Sequence, residues 1–166
     1  TAQIITKDNQ IILDNGLLRR SFLIRPNLAC IDYTNLTNGQ QLLRSIEPEA
    51  NIVINKTNYA IGGLHGQKEK AYLNLNWEKN LYANENDFYF TNYTITNIDS
   101  FVNYNPQTWI PAAYSASVKK FKGKQLVLHF ASKLPALKGF IVNVHYNIYD
   151  GLPLLCKWVT IQNGAD

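Results

Sequence analysis

The chain contains no methionine and only two cysteines in 166 residues. Cys30 and Cys156 cannot complete a zinc site by themselves, and neither belongs to a C-x-x-C pair. Each sits inside an apolar segment, which reads as a buried free thiol behaving as a small hydrophobe. A disulfide joining an early strand to the last one is the other reading. Charge is scarce as well, with Asp, Glu, Lys and Arg at 17%, against about 25% in an average soluble protein. The net charge of +4 is not gathered into the stripe that a nucleic-acid partner requires. The only dense basic stretch, Lys119-Lys120-Phe121-Lys122-Gly123-Lys124, contains a turn glycine and reads as a solvated hairpin tip. No apolar run approaches the roughly 20 residues of a membrane-spanning helix. The start at Thr1 has neither an initiator methionine nor a leader pattern, so the chain is expected to begin after a cut. Nucleophile-elbow, P-loop, dinucleotide and zincin motifs are all missing.

What the chain has in quantity is asparagine, 20 residues of it, together with 10 Tyr, 7 Phe and 3 Trp. Hydrophobic residues reach 46%. The length fits one ordinary domain with a full core. Three N-x-S/T sequons, at Asn35, Asn55 and Asn92, are about what so much asparagine produces by chance.

The periodicity is two almost throughout. Asn15-Gly16 between residues 10–14 and 17–24 is the strongest short-range hairpin signal. Residues 28–33 and 50–55 continue the pattern, and Gly62-Gly63 closes the latter region. In 88–98 the set Tyr89, Thr91, Tyr93 and Ile95 reads as the half-buried face. Residues 115–121 and 124–132 predict a hairpin turned at Lys122-Gly123. In 139–149, Phe140, Val142, Val144, Tyr146 and Ile148 share one face, while Ile141, Asn143, His145, Asn147 and Tyr149 share the other. Asp150-Gly151 turns the chain into 154–162, whose two faces both look covered, as in a strand at the middle of a sandwich. Trp158 reads there as packing.

No window shows helical spacing with caps; the best candidate, 40–46, is two turns at most and reads equally as a strand. Some ten short strands with polar turns and no helices predict an all-β fold, an antiparallel two-sheet β-sandwich over 1–166 as a single domain. The chain stops straight after a strand, which suggests a piece of something longer.

Candidate chemistry is thin. His129 and His145 lie in strands and would need a carboxylate opposite to act as acid or base; His65, between Gly63 and Gly66, reads as an exposed loop residue. The carboxylates available for a pair are Asp32, Glu47, Glu49, Asp87, Asp99 and Asp150. Glu47 and Glu49 flank Pro48 and read as turn chemistry. The most informative loop is 103–114, where Tyr104, Asn105, Trp109 and Tyr114 interleave aromatic planes with amides. Such planes cover the C–H face of a sugar ring, and amides serve its hydroxyl rim. The same loop also reads as a plug over the end of the sandwich, the plainer of the two readings. Trp77, after Leu73-Asn74-Leu75-Asn76, is a weaker candidate of the same kind.

Three stretches carry a family likeness. They are Asp14-Asn15-Gly16-Leu17-Leu18-Arg19-Arg20-Ser21-Phe22, then Leu42 through Ala50 with Tyr59-Ala60-Ile61-Gly62-Gly63-Leu64, and finally His145 through Trp158. Together they resemble the N-terminal β-sandwich of large glycoside hydrolases related to α-galactosidases (melibiases), a domain similar to the galactose-mutarotase-like supersandwich. The resemblance implies a twisted sandwich whose catalytic carboxylates lie in a following barrel. The sandwich would pack on that barrel and lend 103–114 to the rim of its active site. A full supersandwich usually runs longer, and no His and Glu here match the mutarotase catalytic pattern.

The expectation is therefore a non-catalytic domain of an exported glycoside hydrolase. Its partners would be the catalytic domain of the same polypeptide and carbohydrate, with no nucleic acid, membrane span, cofactor or metal. The alternatives are a free-standing carbohydrate-binding module and an aldose-epimerase-type enzyme using His129 or His145.

Overall fold

The Asn15-Gly16 pair turns the chain between β2 (Gln10–Asp14) and β3 (Leu18–Leu23), as its residue types predict. Gly16 adopts a φ of 80°, and the Asn15 side-chain oxygen Oδ1 accepts from the backbone amides of Leu17 and Leu18. This is a computed structural model, and it describes residues 1–70, 73–98 and 121–164. Apart from 3₁₀ turns at Leu75–Asn80 and Pro135–Leu137, its regular elements are strands.

β1 (Gln3–Lys7), β2, β3, β4 (Ala29–Asn35) and β5 (Gln40–Gln41) form a five-stranded antiparallel sheet in sequence order. β6 (Ala50–Ile54) and β7 (Thr57–Ile61) make a separate ribbon, turned by Asn55 and Lys56, both at positive φ. β8 (Tyr89–Asn97), β9 (Gly123–Ala131), β10 (Phe140–Tyr149) and β11 (Leu155–Asn163) form a four-stranded sheet in the order β11-β10-β9-β8. The expected antiparallel β-sandwich is present. Segment 40–46, which reads equally as a short helix or a strand, is the brief strand β5 followed by irregular chain.

The core lies between the two larger sheets. Ile11, Leu13, Phe22 and Cys30 come from one, and Leu126, Leu128, Phe130, Val142, Val144, Tyr146 and Ile148 from the other. Phe22 and Tyr146 meet across the interface with ring centres 5.4 Å apart. Burying such side chains is the main stabilising term of the fold, about 1.5–3 kcal/mol each. A second, smaller cluster lies on the opposite side of the five-stranded sheet, where Leu23, Ala29 and Ile31 meet Ile46, Leu64 and Leu81.

Two bulges change which residues face where. Ser21 pairs with Asp32 and Phe22 with Cys30, leaving Ile31 as the extra residue. Ile31 and Asp32 therefore both look outward, since an added residue resets the alternation. In β8 the register shifts between Phe90 and Asn92. Phe88 is buried and Phe90 packs on the core before the bulge, whereas Tyr93 does so after it. The face predicted for 88–98 thus holds only beyond Thr91. β11 stands at the edge of its sheet among the described residues, not in the middle. Cys30 is buried, Cys156 is half-buried, and both are free thiols.

Gly62 offers a test of how tightly the ribbon is docked. Its φ is 64°, and a Cβ there would lie 2.6 Å from the Leu28 carbonyl oxygen and 2.9 Å from Phe130 Cε1. Gly62→Ala is expected to cost about 2–4 kcal/mol, the sum of left-handed strain and overpacking. At Gly16, where a Cβ meets nothing within 4 Å, the same change should cost only the conformational part, about 1–2 kcal/mol. Urea denaturation of the two variants checks the difference.

Candidate functional site

Alternation in β8–β11 puts one side of each strand in the core and the other outside. The outer side presents Asn92 and Thr94 from β8, Gln125 and His129 from β9, Asn143, His145 and Asn147 from β10, and Trp158, Thr160 and Gln162 from β11. None of these is formally charged. A chain of hydrogen bonds crosses the sheet. Thr94 Oγ1 lies 2.9 Å from His129 Nε2, and His129 Nδ1 lies 2.7 Å from Asn143 Oδ1. Asn143 Nδ2 then reaches Thr160 Oγ1 at 3.5 Å, and Thr160 Oγ1 lies 2.9 Å from His145 Nε2.

One tautomer choice satisfies the whole run. With the proton of His129 on Nδ1, the Thr94 hydroxyl donates to Nε2 and the imidazole donates to Asn143; the Thr160 hydroxyl donates to His145. That leaves His145 Nδ1 buried without a partner. Burial, helped by the neighbouring His129, holds the His145 pKa below the usual histidine value. The imidazole is thereby kept neutral. His145 also stacks on Trp158, its direct partner across β10 and β11, at 4.8 Å and 7° between planes. Trp158 is therefore an outward residue of this face, half-buried, and not part of the core. Beside it a shallow hollow of about 410 Å³ is lined by Asn92, His129, Ala131, Ile141, Asn143 and Gln162, among others. Chemically the face is a plane of neutral donors and acceptors next to a large aromatic.

Among the described residues the densest set of ionisable groups is elsewhere, and it is closed. Glu49 is 4% exposed. It accepts from Arg20 at 3.3 Å, from Lys157 at 3.0 Å and from the Tyr146 hydroxyl. Arg20 lies over the rings of Phe22, Tyr33 and Tyr146 at 5.1–5.3 Å. Burial alone would raise the Glu49 pKa, but Arg20 and Lys157 outweigh it and hold the carboxyl below its ordinary value. Burial pushes the Cys30 thiol up to about 12, so it stays protonated and inert. Nothing leaves room for a substrate at Glu49, and the cluster is a buried tie between sheets. Glu49 is accordingly not turn chemistry; Glu47 is the surface residue of the pair, meeting Lys70 at 3.1 Å.

The carboxylate that His129 or His145 would need as acid or base does not face either of them among the described residues: their hydrogen-bond partners are Thr94, Asn143 and Thr160. The histidine with a carboxylate is His65, whose Nε2 lies 2.7 Å from Asp87 Oδ2. It also stacks against Tyr82 at 5.9 Å. A carboxylate-held imidazole has the geometry of a general base, yet its other nitrogen meets no hydroxyl or thiol among the described residues. Nothing in the sequence links residues 65 and 87.

Of the predicted sugar contacts, Tyr104, Asn105, Trp109 and Tyr114 lie outside the described residues. Trp77 sits half-buried in the 3₁₀ turn 75–80. Leu73 and Leu81, on either side of that turn, pack on the outer side of the five-stranded sheet. Trp77 therefore belongs to a different surface from Trp158. Among the described residues no helix is long and apolar enough to cross a membrane, and no three His, Cys, Asp or Glu side chains come together as metal ligands. No protein-family profile matches the chain, and neither a curated protein nor a solved structure is significantly similar to it.

Proposed function

We propose that the chain is the non-catalytic, carbohydrate-contacting β-sandwich of an exported glycoside hydrolase, seated on a separate catalytic domain of the same polypeptide. The observation that carries the sugar contact is the outer face of β8–β11. Its hydroxyl, amide and neutral imidazole groups match the uncharged hydroxyl rim of a sugar, and Trp158 supplies the aromatic body that C–H faces favour. Among the described residues of this face there is no formal charge for a charged partner to pair with. The domain-packing part is supported by β11, where Val159 is 36% and Ile161 51% exposed on the core-facing side of an edge strand. Apolar side chains so placed suit burial against a neighbouring domain. The link to glycoside hydrolases itself rests on the sequence resemblance.

Affinity electrophoresis of the domain through galactan, galactomannan and arabinoxylan gels tests the reading. Retardation by a galactose-containing polymer is expected, weakened at least about tenfold, or about 1.4 kcal/mol, in Trp158→Ala. A melting curve of the variant controls for folding. Trp109→Ala should migrate like the parent. Loss in Trp109→Ala alone would move the contact to the 103–114 loop, and no retardation in any gel would overturn the sugar contact.

A further inference from the structure

A groove of about 640 Å³ lies over the outward side of the five-stranded sheet, away from the β8–β11 face. That volume is in the range of small-molecule sites. Its floor is apolar, from Ile12, Ile31, Leu43 and Leu73, and its polar groups come from Gln10, Arg19, Ser21, Asp32, Gln41 and Arg44. Sheet geometry explains the set: Gln10 and Ile12 on β2, and Arg19 and Ser21 on β3, all alternate with core residues. The β4 bulge adds Ile31 and Asp32 to the same side.

The charges in the groove do not balance. Asp32 is the single carboxylate among the described lining residues, and its oxygens are already engaged. Oδ2 accepts from Arg19 Nε at 3.0 Å, and Oδ1 accepts from the Thr34 hydroxyl at 2.7 Å and from Gln41 Nε2 at 2.6 Å. Gln41 is in turn fixed, since its oxygen accepts from the amides of Tyr33 and Leu43. Burial would raise the Asp32 pKa, but these donors outweigh it and keep the carboxylate ionised. Arg19 is thereby held by Nε, and its two Nη groups have no partner among the described residues. Among the described residues Arg44 has none either, and the Ser21 hydroxyl lines the groove equally unpaired. Two guanidinium groups against one committed carboxylate leave an excess positive charge beside a free hydroxyl and the Gln10 amide.

We infer that this groove binds a small hydroxylated carboxylate, with Arg19 and Arg44 on the carboxylate and Ser21 and Gln10 on its hydroxyls. Guanidinium groups pair with planar carboxylates through two parallel N–H bonds, and a prefixed arginine loses little freedom in doing so. Among sugars, uronic acids have this chemistry. The site is separate from the sugar-contacting face proposed above and does not depend on it.

Titration of the ¹⁵N-labelled domain with D-galacturonate, D-glucuronate and citrate, against D-galactose as the neutral control, is the test. At least one carboxylate should shift the amides of residues lining the groove, with a Kd on the order of 1 mM, while galactose leaves them unmoved. Arg44→Gln should weaken that binding about tenfold or more, and added salt should weaken it further. Arg44 has no partner to lose, so the variant should keep the parent's melting temperature; Arg19→Lys, which keeps the charge but not the fork, should weaken binding as well. Three results would overturn the inference: silence to all three carboxylates up to about 10 mM, equal shifts with galactose, or unchanged affinity in Arg44→Gln. Loss of polysaccharide retardation in Trp158→Ala would leave these shifts intact, so the two sites fail separately.

Discussion

Glu49→Gln should destabilise the domain by about 3–5 kcal/mol, because it leaves the buried Arg20 guanidinium without its counter-charge. For a chain of this length that is a fall on the order of 10 °C in melting temperature. Arg20 is 15% exposed in its side chain and cannot reach water without opening the sheet interface, and its Nε already lacks an acceptor. Lys157, at 34%, can swing outward. Lys157→Met should therefore cost roughly 1 kcal/mol or less, as a partly exposed ion pair does.

The pH dependence has a definite sign. Glu49 has a lower pKa folded than unfolded, so its contribution is fully present above the ordinary glutamate range. It is lost as pH falls through the folded value. The gap in stability between parent and Glu49→Gln should accordingly narrow in acid. Urea midpoints at neutral pH and below pH ~4 measure it, and a neutral-pH gap under about 1 kcal/mol would show that the cluster is not the tie described.

Phe22→Ala is expected to cost a similar amount, about 3–5 kcal/mol, from a different source. Phe22 is wholly buried, its ring meets Tyr146 of the opposite sheet at 5.4 Å, and Arg20 lies over it at 5.3 Å. Truncation removes transfer energy, opens a cavity between sheets that cannot collapse, and strips one aromatic wall from the guanidinium. Phe22→Leu fills most of the space and should cost no more than about half as much. Because Phe22 and the Arg20–Glu49 pair touch, the double variant Phe22→Ala/Glu49→Gln should fall short of the sum. Additive losses in equilibrium unfolding would argue that the core and the charge cluster act independently.

The residues that announced themselves in the sequence are those whose surroundings are local. Alternation in 139–149 separates core from outer face correctly, because each strand position sees one side of a pleat and its neighbours see the other. Asn15-Gly16 carries its own turn. Where the outcome depends on a remote partner, the letters are silent. Glu47-Pro48-Glu49 looks like a turn, and only Arg20, Tyr146 and Lys157 make its last residue a buried anchor. Trp158 reads as packing because both sides of 154–162 are rich in apolar groups, and only register with β10 places it on the outer face. The bulge at Phe90–Asn92 reverses the apolar pattern of β8 with no glycine or proline to mark it. As for the candidate sites, Asn143 and His145 were legible as one polar face, whereas the Arg19–Asp32 groove needed the β4 bulge to exist.

The carboxylate at Glu49 has a history as well as a place. Tyr146 follows it by 97 residues and Lys157 by 108. At roughly 5–20 residues per second, the ribosome delivers them about 5–20 seconds after Glu49 itself. Until β10 emerges, the five-stranded sheet and its ribbon lack the strand that carries Tyr146, so Phe22 and the Arg20–Glu49 pair are expected to be open to solvent and to chaperones. Docking is completed only with β10 and β11, and a truncation before residue 140 is expected to leave Phe22 without Tyr146 and the Arg20–Glu49 pair without its tyrosine and lysine donors.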